Sequence, residues 1–218
     1  MLFLENNSEF MTEIIFTRHG HTEWNKEQRL QGREDSPLTE RGLHQASVLG
    51  LYLKGKGIKK IYSSSLFRAV RTSRIISAQS GISDILLRDD LREIYLSDLE
   101  GQQFSKAQEL YPEKMEAFSH KPSSFVPLKD GETFFEAQKR AVNAVESIAK
   151  ENPDSTILIV SHAVLLRLIF AHYSGTHIDD YWPKQGFFYP CSLSSIEFHD
   201  FSRKISLVNS IEYATMQY

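Results

Sequence analysis

Residues 157–160, Ile-Leu-Ile-Val, leave no polar position on either face of a strand. A strand that is apolar on both faces needs cover on both sides, as inside a mostly parallel sheet. The rest of the chain alternates further strands with helices that could supply that cover. Ile14–Thr17 reads as a first strand and Ile58–Tyr62 as a second. Between them, Thr39 stands at an N-cap position ahead of Leu43, Ala46, Leu49, Gly50 and Leu53 at helical spacing. Ser63, Ser64 and Ser65 offer caps for a helix that reaches Gln79 and closes at Gly81. Ile85–Leu87 is a short third strand, and residues 101–122 hold one or two short helices broken at Pro112 and Pro122. Thr133 and Glu136 form a capping box for a long helix whose apolar stripe includes Phe134, Ala137, Ala141, Val145 and Ile148. A helix over Ala163–Tyr173 follows, and stretches 193–199 and 204–212 pair as an edge hairpin. The expected fold is α/β: a three-layer αβα sandwich with a mostly parallel central sheet, helices on both faces and a C-terminal edge hairpin. Residues 1–10 lack the basic start of a signal peptide and read as a tail. Residues 11–218 carry no repeat or linker and read as a single domain.

Ligands of open α/β sheets bind beyond the carboxyl ends of the strands. Arg18 and His19 follow the first strand, Ser63 to Arg68 the second, and Ser161 and His162 the 157–160 strand. Arg92 and Glu93 follow the weak third strand. Arg18, Arg68, His19, His162 and Glu93 thus reach one sheet edge. A guanidinium offers a fork of donors to phosphate oxygens, and an imidazole can act as nucleophile or acid–base. Taken singly, each has a plainer reading. Arg68 sits in a charged helix beside Arg71 and Arg74, Glu93 has Arg92 as a neighbour, and His162 can be a helix cap. His21 reads as a loop residue.

Composition narrows the partners. The 218 residues carry a net charge of −3, which gives no sign of a nucleic-acid surface. No apolar run approaches bilayer length. A single cysteine, Cys191, leaves no intrachain disulfide and fits a reducing, cytoplasmic setting. His19, His21 and His162 could supply nitrogen ligands to a metal, but the first two lack the i, i+4 helical spacing of common zinc motifs. The expectation is no metal and no cofactor.

The segment Thr17-Arg18-His19-Gly20-His21-Thr22-Glu23-Trp24-Asn25 resembles the signature of the histidine phosphatase superfamily, also called phosphoglycerate mutase-like. The likeness continues through Gln31-Gly32, Asp35-Ser36-Pro37-Leu38-Thr39 and Gly42, then Ser64-Ser65-Leu66-Phe67-Arg68-Ala69. Leu91-Arg92-Glu93-Ile94, Leu99-Glu100-Gly101, Gly131-Glu132-Thr133 with Arg140, and Val160-Ser161-His162 follow in family order. The chain departs from the pattern at Ala163, where glycine is usual, and at Leu96-Ser97-Asp98-Leu99. Both departures bear on the pocket wall.

The resemblance implies a phosphohistidine on His19, phosphate held by Arg18, Arg68 and His162, and Glu93 as proton donor. Asn25, Gln31 and Gly32 are implied substrate contacts. Residues 102–130 are short and contain no arginine, which is similar to the broad-specificity phosphatase branch rather than to the mutases. Phe104, Phe118, Phe125, Phe134 and Phe135 are candidates for an apolar mouth, with Phe134 favoured for the core. The expected activity is metal-independent hydrolysis of a small-molecule phosphate monoester, by a monomer or homodimer. Mutase-type phosphoryl transfer and a non-catalytic phosphate-binding regulator are the alternatives.

Overall fold

The computed structural model describes residues 11–215. The expected tail over residues 1–10 lies outside them. The strands are β1 (Met11–Arg18), β2 (Ile58–Ser64), β3 (Ile85–Arg88), β4 (Thr156–Ser161), β5 (Leu193–His199) and β6 (Arg203–Ser210). They form one sheet in the order β3-β2-β4-β1-β5-β6. The β3–β2, β2–β4 and β4–β1 pairs are parallel. β5 runs antiparallel to β1, and β6 antiparallel to β5, so the C-terminal hairpin extends the sheet at one edge.

β4 shows why the apolar run is needed. Ile157 and Ile159 face a core built with helices α6 (Phe134–Glu151) and α7 (Ala163–Tyr173). Leu158 and Val160 face the opposite core, with α2 (Glu40–Leu53) and α3 (Phe67–Ser80). Period-two alternation therefore sends apolar residues to both layers. Short helices α1 (Glu23–Lys26), α4 (Phe104–Leu110), α5 (Pro112–His120) and α8 (Ile178–Gln185) complete the chain.

Local signals act largely as read. Thr39 caps α2 by accepting the Gly42 N–H, and Thr133 and Glu136 make the capping box of α6. Gly81 closes α3 in the left-handed conformation, at φ 82°. The breaks expected at Pro112 and Pro122 are there: α4 ends at Leu110, and Pro112 starts α5, which suits a residue with no N–H to leave unpaired. Two expectations are corrected. The serines do not cap α3: its first two N–H groups, of Phe67 and Arg68, go to the Asp35 carboxylate from a distant loop. The phenylalanine mouth forms only in part: Phe125 and Phe134 are buried, Phe134 as expected, and Phe135 points to solvent, while Phe104 and Phe118 line a cavity of their own.

Candidate active site

The segments that follow β1, β2 and β3 bring polar residues to a cavity of about 130 Å³, while His162, which follows β4, lies behind His19 rather than on the cavity wall. Its wall includes Arg18, His19, Asn25, Gln31, Gly32, Arg68 and Glu93. β1 ends in Arg18, and the turn after His19 packs so tightly on α2 that a Cβ on Gly20 would lie 2.6 Å from the Gly42 carbonyl oxygen. That contact fixes where the imidazole starts.

His19 is buried, with Nδ1 2.8 Å from the carbonyl oxygen of Gly20. A carbonyl oxygen only accepts, so Nδ1 carries the hydrogen. Nε2 is left as the lone-pair nitrogen, and Arg68 Nε donates to it over 3.3 Å. Burial, then Arg68 and Arg18, hold the His19 pKa well below the usual range.

Arg68 is held from several sides. Nη1 donates to Glu34 O at 2.6 Å and Asp35 Oδ1 at 2.8 Å, and Nη2 to Gly32 O at 2.6 Å. The plain reading of Arg68 as a solvated helix residue fails, because it is 1% exposed. Arg18 donates from Nη1 to Phe188 O at 2.8 Å, and its Nε has no protein partner. Burial lowers its pKa to about 10, which leaves it charged at neutral pH.

His162 is fully buried, and its ring packs against that of His19 with centroids 5.3 Å apart. Its Nε2 lies 2.7 Å from Ser64 Oγ, while Nδ1 has no protein partner. Burial, and then Arg68, hold its pKa well below the ordinary histidine value.

Glu93 accepts three backbone N–H groups, from Ile94, Val164 and Leu165. The last two belong to the first turn of α7, so the carboxylate caps the helix that begins after His162. Desolvation outweighs those hydrogen bonds and raises its pKa. The strand-end segment bearing Glu93 is fixed by Arg140, which donates to the carbonyls of Asp90 and Arg92 and pairs with Glu132. Ser161 Oγ adds a bond to Leu91 O.

Asn25 closes a capping box on Thr22, with its Oδ1 accepting the Thr22 N–H. Its remaining donors are therefore on Nδ2. Gln31 Oε1 is buried without a protein partner. Gly32 adopts φ +52°, and a Cβ there would sit 2.0 Å from Glu100 Oε1. Glu100 in turn accepts the N–H groups of Arg33, Glu34 and Leu96, tying the 31–35 loop to the 96–100 segment. His21 stands apart, with Nδ1 3.1 Å from Thr39 Oγ1.

Sequence reasoning missed most of the apolar wall, Leu30, Ile94, Val164 and Phe187, while Leu96 is on the wall as its departure from the pattern suggested. It also missed Arg29, which lines the cavity and donates to Gly101 O. Ala163, the departure noted above, is on the wall as the first residue of α7. Among the described residues no group of three or more His, Cys, Asp or Glu is placed to hold a metal ion. No helix among them is long and apolar enough to cross a membrane.

A probable phosphoglycerate mutase, GpmB, of Cronobacter sakazakii is 31% identical over 189 residues, 86% of each chain. The metal-independent phosphoserine phosphatase of Arabidopsis thaliana is 33% identical over 161 residues, 73% of this chain and 68% of that one. Among solved structures, Bacillus stearothermophilus YhfR aligns with a TM-score of 0.88 at 34% identity, covering 93% of this chain and 98% of the other. Residues 14–211 match the histidine phosphatase superfamily, branch 1, and the chain belongs to that family.

Proposed function

We propose that the protein is a metal-independent phosphomonoesterase that hydrolyses small phosphate esters through a phosphohistidine on His19. The state of His19 carries the reading. Its Nδ1 is held on the Gly20 carbonyl and its Nε2 keeps a lone pair beside Arg68. A depressed pKa keeps the ring neutral at pH 7, as a nucleophile requires.

In the first step, Nε2 forms a bond to phosphorus while the ester P–O bond breaks. Glu93, whose raised pKa favours the acid form, gives its proton to the leaving oxygen. In the second step Glu93 takes a proton from water as that water attacks phosphorus and the P–N bond breaks. Arg18 and Arg68 supply positive charge to the transferring group, where most of the catalysis of phosphoryl transfer lies. Ser64 Oγ accepts the Leu66 N–H at 3.3 Å, so its own hydrogen can be directed at His162 Nε2. His162 Nδ1 is then a donor to a phosphoryl oxygen. Asn25 Nδ2 is a further donor at the wall.

The test is phosphate release from p-nitrophenyl phosphate in EDTA, wild type beside His19→Ala, with acid-labile phosphoenzyme trapped in parallel. Activity spared by chelation and removed with the phosphoenzyme by His19→Ala is the expected result. A phosphoenzyme that passes its phosphate to a phosphoglycerate rather than to water would establish the mutase alternative. Phosphate binding without any phosphoenzyme would establish a regulator.

A further inference from the structure

Phe187 stands between two cavities. One is the His19 cavity of about 130 Å³. The other, of about 370 Å³, is walled by Phe104, Phe118, Trp182 and Phe187, with Arg167 also on its lining. The first is about a third the size of the second and is lined by the groups that would hold a phosphoryl group. The alcohol of any ester bound there has to extend beyond it. Phe187 is 59% exposed, so its ring is a surface over which a ligand can lie rather than a packed partition.

Arg167 is the unusual member of the second cavity. It is 3% exposed on α7, and its guanidinium lies 3.5 Å from the centroid of Trp182 and 5.1 Å from that of Phe187. One donor, Nη2, goes to the Trp182 carbonyl near the end of α8. Nε is buried with no partner. Among the described residues no carboxylate pairs with this cation, and its one charge-coupled neighbour is Tyr181. Taking a cation out of water is costly when no anion balances it. Stacking on aromatic rings returns only part of that cost. A role confined to pinning α8 would use one of its five N–H groups. A carboxylate brought by a ligand would supply the missing counter-charge.

We propose that this compartment is a leaving-group subsite for phosphate monoesters whose alcohol carries a flat apolar body ending in a carboxylate. The aromatic walls take the body, and Arg167 takes the acid. The phosphoryl end is placed by the phosphatase reading of His19, on which the inference rests.

The experiment measures binding, so it does not depend on turnover. Dissociation constants of benzylphosphonate and 4-carboxybenzylphosphonate are determined by calorimetry for wild type, Arg167→Met and Arg167→Lys. Wild type binds the acid about tenfold more tightly, as a charge-assisted contact predicts. Arg167→Met removes that preference and leaves benzylphosphonate within about twofold, and Arg167→Lys, which keeps the charge, retains part of it. No preference in wild type, or equal weakening of both ligands in Arg167→Met, overturns the subsite and leaves Arg167 as a pin for α8. Failure of both phosphonates to bind wild type also overturns it. His19-dependent turnover of p-nitrophenyl phosphate would leave the phosphatase reading standing in each of those cases.

Discussion

The carboxylate of Glu93 accepts the backbone N–H of Val164 at 3.0 Å, so the proposed proton donor also caps the helix that follows His162. Glu93→Gln therefore has two separable effects. The amide turns donors toward backbone N–H groups, and the protein loses about 1–2 kcal/mol in urea unfolding. Turnover of alkyl esters, whose leaving oxygen needs a proton, falls by about 10²–10⁴. p-Nitrophenyl phosphate needs no such help and is slowed far less. An equal loss on both substrates would remove Glu93 from the donor role.

Protonation of the buried histidines sets an acid limit to stability. His19 and His162 both titrate well below 6.5 in the fold, chiefly through burial. Their folded pKa values are depressed, so the contribution to stability is full above the unfolded value and is lost as pH falls below it. One unit under an unfolded pKa of ~6.5, each histidine has cost about 1.4 kcal/mol. Between pH 7.5 and 5.5, His162→Gln should lose about 1.4 kcal/mol less than wild type in urea unfolding. Matching losses would mean that His162 takes up its proton inside the fold.

Asp35 joins two tasks, holding Arg68 Nη1 at 2.8 Å and closing the first turn of α3. Asp35→Asn is expected to raise the Michaelis constant for p-nitrophenyl phosphate by about tenfold, the scale of a lost charge-assisted bond. The same change in an Arg68→Ala background should have almost no further kinetic effect, since the two act through one guanidinium. Additive losses would make Asp35 a helix cap alone.

At Gly32, backbone and space forbid a side chain together. Its φ is +52° and a Cβ would overlap Glu100 Oε1. Gly32→Ala should cost about 1–3 kcal/mol and weaken phosphate binding through the Gly32 carbonyl on Arg68. Unchanged phosphate affinity, measured by product inhibition, would separate the loop from the grip on Arg68.

Much of this was legible before any coordinates. The apolar runs of β1 and β4, the caps at Thr39 and Thr133, and the polar residues at strand ends are local signals, and a sheet gathers strand ends whatever the details. α8 was not foreseen, because Asp179, Asp180, Pro183 and Lys184 interrupt any apolar period. Nor was the cap of α3, since nearby serines look like better candidates than an aspartate some thirty residues upstream. The wall residues Leu30, Val164 and Phe187 belong to segments far apart in the chain, and only folding makes them neighbours.

β1 is among the first segments described, yet it lies inside the sheet between β4 and β5, with Phe16 aligned on Ile159 and Ser194. During synthesis that strand has to wait more than a hundred residues for either neighbour. Helices α2 and α3 can associate in the meantime, but both edges of β1 stay open until the last third of the chain arrives. A chain cut short before β5 would keep one of them open permanently, as a template for pairing with other chains. The residues that carry the proposed nucleophile are thus made early and seated late.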